Sequence, residues 1–118
     1  MKKAFYLESC STCQRILKEI NLPEDVELRE IKSKNITKEE LFEIRKMVDS
    51  YEDLFSKRAM KYKSLGLKEK SLSDQDFGKY ILEEYTFLKR PVFVFGETLF
   101  VGNSKKNIEA LKSFLNEK

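Results

Sequence analysis

The stretch Glu8-Ser9-Cys10-Ser11-Thr12-Cys13 carries both cysteines of the chain, three positions apart. Thiolate is the nucleophilic form of cysteine, and a second thiol three residues on can displace whatever the first has bound. A Cys-x-x-Cys that follows a strand and opens a helix therefore points to redox chemistry. Two other uses compete. Zinc takes about four ligands, and with no histidine only shared or carboxylate ligation could complete a site, so no metal is expected. The second is a pair of inert, half-buried thiols packed as small hydrophobes. The lack of histidine also removes Ser–His and Cys–His catalytic pairs. A phosphatase loop would need arginine where Ile16 stands, and Arg15 comes one position early.

The surrounding pattern says what holds these thiols. Lys3–Leu7 is a short apolar run ahead of a polar turn, which predicts a first strand. From Thr12 onward, Ile16, Leu17 and Ile20 recur at helical spacing until Pro23. Cys10 then sits just before a helix N-terminus, where free amides and the helix dipole favour its thiolate, weakly opposed by Glu8. Val26–Ile31 alternates as a second strand. Thr37-Lys38-Glu39-Glu40 reads as a capping box opening a helix with Leu41, Ile44 and Val48 on one face. Tyr51–Leu65 reads as a broken helix ending at Gly66, and Ser73-Asp74-Gln75-Asp76 starts another that runs to Leu88. Arg90–Phe95 is a strand led by Pro91, Gly96-Glu97 a hairpin turn, and Thr98–Val101 the return strand. Gly102-Asn103-Ser104 caps a last helix bearing Ile108, Leu111 and Leu115. The order is β-α-β, a helical block, then β-β-α. It predicts an α/β fold: a thioredoxin-like mixed four-stranded sheet in a single domain, 1–118, with a helical insertion at about 37–88.

Composition sets the compartment and the partners. At 118 residues, 41% hydrophobic and 36% charged, the chain is long enough to bury a core. No apolar run approaches a membrane span, and in MKKAFYLES the apolar part, Ala4–Leu7, is too short for a secretory leader. A cytoplasmic location without membrane association is the expectation, and thiols there stay reduced. The net charge of +3 is spread among interspersed acids and bases. The densest basic run, Lys57–Lys63, is flanked by acidic segments, so direct nucleic-acid binding is not expected.

Four motifs in order resemble the arsenate reductase (ArsC/Spx) family of thioredoxin-fold proteins. Cys10-Ser11-Thr12-Cys13 resembles the Cys-x-x-Cys of the Spx-like subgroup and stands where ArsC has its single catalytic cysteine. Ser56-Lys57-Arg58 with Ser64-Leu65-Gly66-Leu67 resembles the segment carrying one oxyanion-binding arginine. Leu88-Lys89-Arg90-Pro91-Val92 resembles the Leu-x-Arg-Pro-Ile/Val motif, with a second arginine before a cis proline, and Leu99-Phe100-Val101-Gly102 resembles the Val-Gly pair of Spx-like members. The resemblance implies a thiol–disulfide oxidoreductase of glutathione/glutaredoxin type. Cys10 would be its nucleophile, Cys13 its resolving thiol, and Arg58 and Arg90 the catalytic cations, with Ser11, Thr12 and Pro91 completing the substrate site. It implies no bound cofactor, and glutathione, glutaredoxin or thioredoxin as reductant.

Departures from the family pattern lower the expected arsenate turnover. Val101-Gly102-Asn103 stands where ArsC has a third arginine, with Asn103 and Lys105 as partial substitutes, and Tyr6 stands where ArsC has a histidine. Gln14 replaces an arginine that both subgroups carry. The alternative that the resemblance implies is a redox-sensing transcriptional regulator docking on RNA polymerase, against which Ser50 replaces a glycine that Spx needs for that contact.

Overall fold

The computed structural model describes residues 1–117, which divide into two compact units: residues 1–34 with the stretch from Arg90 onward, and Asn35–Lys89. Among the described residues no helix is long and apolar enough to cross a membrane.

The first unit is built on a four-stranded sheet in the order β2-β1-β3-β4. Its strands are β1 (Lys2–Tyr6), β2 (Glu27–Glu30), β3 (Val92–Phe95) and β4 (Thr98–Val101). Strand β1 runs parallel to β2, with Ala4 opposite Leu28, and antiparallel to β3, with Ala4 opposite Phe93. The β3–β4 hairpin is antiparallel with Phe95 opposite Thr98, and Gly96 takes the positive φ of 65° that its tight turn requires. This is the thioredoxin-like mixed sheet that the element order predicts.

Burial explains the strand sequences. All four residues of Val92-Phe93-Val94-Phe95 are buried, as an unbroken apolar run in an interior strand requires. On one sheet face Ala4, Phe93 and Phe95 pack with Val26 and with Ile16 and Ile20 from the first helical segment, and with Ile108 and Leu111 from the last. Helix α1 (Ser11–Glu19) contributes Ile16 through the periodicity read in its sequence, and Ile20 is its C-cap. The last helix spans Lys105–Asn116; Ser104 caps it by accepting from the Asn107 N–H, and the Asn107 side chain donates to the Gly102 carbonyl. Phe95, Phe100 and Phe114 close this side with ring centroids 5.1–6.2 Å apart.

The second unit is helical. Thr37 and Glu40 form the reciprocal capping box at the start of α2 (Lys38–Arg45): Thr37 Oγ1 accepts the Glu40 N–H and the Glu40 carboxylate accepts the Thr37 N–H. A 3-10 turn at Tyr51–Leu54 follows, then α3 (Met60–Ser64), a second 3-10 turn at Leu67–Glu69 and α4 (Asp74–Glu83). A third 3-10 turn, Tyr85–Phe87, leads to Leu88, and the final helix of the chain is α5. Two helices are shorter than their patterns predict. Helix α2 ends at Arg45, whose guanidinium donates to the Val48 carbonyl, so Val48 lies beyond the helix. Helix α4 ends at Glu83 rather than Leu88, because Glu84 turns extended and its carboxylate caps the next turn through the Thr86 N–H. The unit's core is aromatic: Phe55 stacks on Phe87 at 4.9 Å and meets Phe77 and Tyr62 edge-on. A bridge between Phe55 and Leu88, with Ser56 N–H to Phe87 O and Lys89 N–H to Leu54 O, ties its C-terminal end to its middle.

Candidate functional site

Cys10 is the N-cap of α1, with extended backbone (φ −89°, ψ 110°). The turn that places it is closed by Cys10 N–H donating to Leu7 O at 3.1 Å, and the helix begins with Gln14 N–H donating to Cys10 O at 3.1 Å. Its thiol is half-buried, whereas Cys13, one turn into the helix, is fully buried, and the two remain free thiols. Ser11 is exposed and Thr12 half-buried in the first helical turn. The Arg90–Pro91 peptide is cis and leads into β3, so that Arg90, Pro91, Cys10, Ser11, Thr12 and Cys13 all belong to the same unit.

The two thiols are electrostatically unequal. Burial opposes ionisation of Cys10, but the N–H and thiol of Cys13, the N–H of Thr12 and the Arg90 guanidinium together hold it below the ordinary cysteine value. For Cys13, burial dominates. With the thiol donating to the Cys10 sulfur and the charge of Cys10 beside it, it is pushed up to about 11, against partial relief from the Leu7 N–H and Arg90. One thiol is thus poised to carry charge and the other to keep its proton and donate it. This asymmetry is what attack followed by resolution needs.

Arg58 lies in the other unit, exposed in the turn before α3. Its neighbours in the basic run are engaged locally, Lys57 with Glu52 at 2.6 Å and Lys61 with Glu84 at 2.7 Å. Asn103 and Lys105 are exposed at the start of α5. Ser50 caps the Tyr51–Leu54 turn by accepting the Asp53 N–H at 3.3 Å. Among the described residues no group of three or more cysteine or carboxylate side chains is placed to hold a metal ion.

Gln14 is more than a lost cation, and Glu30, which the alternating pattern presents as one more solvated acid, has a place in the same turn. In the structure the Gln14 side-chain amide donates to the Glu8 carbonyl at 3.1 Å, and the Glu30 carboxylate accepts the Glu8 N–H at 2.9 Å and the Ser33 N–H at 2.7 Å. The available signal was the parallel pairing itself. It puts Glu30 opposite Tyr6, at the strand end from which the cysteine turn departs.

A model of the ArsC family matches residues 5–111. Among solved structures, a protein related to the ArsC family from Bacteroides fragilis is 25% identical, covering 94% of this chain and 97% of its own with a TM-score of 0.79. A Staphylococcus aureus protein is also 25% identical, covering 93% and 97% with a TM-score of 0.73. An arsenate reductase from Vibrio cholerae is 16% identical, covering 93% and 94% with a TM-score of 0.71, a likeness of fold. No curated protein matches the chain.

Proposed function

The chain belongs to the ArsC family, and we propose that it is a thiol–disulfide oxidoreductase of that family in which Cys10 attacks and Cys13 resolves. The observation that carries this reading is the unequal pair: Cys10 held toward thiolate at the start of α1, with the Cys13 thiol donating to it. On a mixed disulfide R–S–S–R′, the Cys10 thiolate forms a bond to one sulfur and the other leaves as R′S⁻. Cys13, giving up its proton, then attacks the Cys10 sulfur. The Cys10–Cys13 disulfide forms, the second thiol leaves, and two electrons have passed to the substrate. Two equivalents of glutathione, or a dithiol such as glutaredoxin or thioredoxin, restore the thiols by the reverse exchange.

Arg90 serves as the fixed cation beside this chemistry, since a guanidinium stays charged and can fork onto a carboxylate or oxyanion. Ser11, Thr12 and Pro91 line the same anionic group. Arsenate would enter as the oxidant: the Cys10 sulfur bonds to arsenic with loss of water, and attack of Cys13 on that sulfur breaks the S–As bond, leaving its electron pair on arsenic as arsenite. Its transition state gathers more negative charge, however, and the chain lacks the third arginine and has Gln14 in place of another. Losing one preorganised donor of this sort costs about 3 kcal/mol, two to three powers of ten in rate.

The experiment compares NADPH-coupled reduction of a mixed glutathione disulfide with reduction of arsenate, for wild type and Cys10→Ser. Disulfide reduction that exceeds arsenate turnover and vanishes in Cys10→Ser is the expected result. Absence of both activities, with retention of the protein on RNA polymerase, would favour the regulator instead.

A further inference from the structure

We propose that Glu30 is a positioning residue for Cys10: its carboxylate, together with the side-chain amide of Gln14, clamps the Glu8 peptide and so fixes the turn that presents the Cys10 sulfur to the start of α1. The proposal rests on the reading of Cys10 as the working thiol.

The clamp has two jaws. On one side Glu30, the last residue of β2, accepts the Glu8 N–H through Oε2 and the Ser33 N–H through Oε1. On the other, Gln14 Nε2 reaches back from α1 to the Glu8 carbonyl. Glu8 is therefore held at both its amide and its carbonyl, two residues ahead of Cys10, inside the loop already closed by the Leu7–Cys10 bond. A charged acceptor shared between two N–H donors binds more strongly than a neutral one. Glu30 keeps that charge at neutral pH, because the N–H groups of Glu8, Ser33 and Lys32 outweigh the effect of burial and hold its carboxyl down.

Holding the turn matters because everything that favours the Cys10 thiolate depends on direction. The leading groups acting on it are Cys13 and Thr12 of α1 and Arg90 ahead of β3. The hydrogen bonds of the Glu30 carboxylate go to the Glu8 and Ser33 N–H groups, so its effect on Cys10 runs through the backbone of residues 8–10. A loosened turn lets the sulfur leave these partners, and preorganisation is lost.

The test uses the full chain in four forms: wild type, Glu30→Ala, Glu30→Gln and Gln14→Ala. For each, the rate of Cys10 alkylation by iodoacetamide is followed against pH, with the melting temperature recorded alongside. Glu30→Ala should move the midpoint of the Cys10 curve upward and slow labelling at neutral pH by about three- to tenfold, the range of a half to one pH unit. Glu30→Gln, which keeps one acceptor oxygen, should fall between. Gln14→Ala should move the midpoint in the same direction and carries the test if Glu30→Ala fails to fold. The sign is decisive, because removing a carboxylate charge acting through space would move the midpoint downward in both Glu30 variants. A downward or unchanged midpoint in a folded Glu30→Ala or Gln14→Ala protein overturns the proposal. The readout needs no substrate, so a coupled Cys10 in a protein without turnover would sink the enzyme reading and leave the clamp standing.

Discussion

Selective alkylation offers a quantitative check on the inequality of the two thiols. The perturbation is limiting iodoacetamide on the reduced chain at pH 7. Cys13 sits at about 11 and Cys10 below the ordinary 9.0. At pH 7 the thiolate fraction of Cys13 is then about one in ten thousand and that of Cys10 above about one in a hundred, a ratio of at least ~100. Lower basicity makes a thiolate intrinsically less nucleophilic, and a Brønsted slope of 0.4–0.5 over two pH units returns a factor of about 6–10. Cys10 should therefore react at least about tenfold faster. The full burial of Cys13 widens the gap further by denying the reagent access. The sign with pH follows. Both rates rise together in acid, the Cys10 rate levels off below pH 9, and the Cys13 rate keeps climbing toward pH 11, so the preference narrows in base. Both cysteines fall in one tryptic peptide, residues 4–15, and fragmentation of that peptide assigns the label. Equal labelling at pH 7, labelling of Cys13 first, or a Cys10 rate still climbing tenfold per unit beyond pH 9 would refute the reasoning.

Two predictions concern stability, each read by chemical denaturation with a folded baseline checked by circular dichroism. Ile16→Ala removes a fully buried side chain from the cluster that joins α1 to β3 and α5, and should cost about 2–5 kcal/mol. Gly78→Ala should destabilise even though alanine in a helix interior ordinarily gains about 1 kcal/mol over glycine. Its Cβ would lie 3.0 Å from the Tyr51 ring, which is held under the Arg45 guanidinium at 5.3 Å while the Tyr51 N–H is bound by Asp74. In a Tyr51→Ala background the same substitution should turn stabilising, and absence of that reversal would show that the ring is not the obstacle.

Much of this arrangement was legible in the residues because local rules and packing agree there. Val92–Phe95 reads as a strand behind Pro91, Gly96-Glu97 as the turn that sends it back, and Thr37 with Glu40 announced a helix start that the structure reproduces atom for atom. Where the reading overshot, a side chain had captured the backbone. Arg45 takes the Val48 carbonyl and Glu84 takes the Thr86 N–H, each ending a helix that apolar spacing alone would continue. The cysteine pair was legible from its spacing. The contrast between its members was only half so: the helix start foretells an easily ionised Cys10, but the burial that holds Cys13 at about 11 is a tertiary property. Glu30 was hidden for a similar reason. Its partner in the cysteine turn, the Glu8 N–H, lies 22 positions away, and an acid at the end of an alternating strand looks like any solvated charge.

The pairing of β1 has a bearing on biogenesis. Its parallel partner arrives early, since Ala4 lies opposite Leu28, but its antiparallel partner, Phe93, is synthesised 89 residues later. Closing the longer loop costs about 1 kcal/mol more than closing the shorter one, and the emerging chain cannot attempt it until β3 has left the ribosome. Until then Ile16 and Ile20 lack Phe93, Phe95, Ile108 and Leu111 to pack against. Arg90, the cation that favours the Cys10 thiolate, arrives on the same late segment. A nascent chain thus carries both thiols, with the Cys13 and Thr12 partners of Cys10 already close by on α1, but without the Arg90 charge, which joins them only once the segment leading into β3 is made.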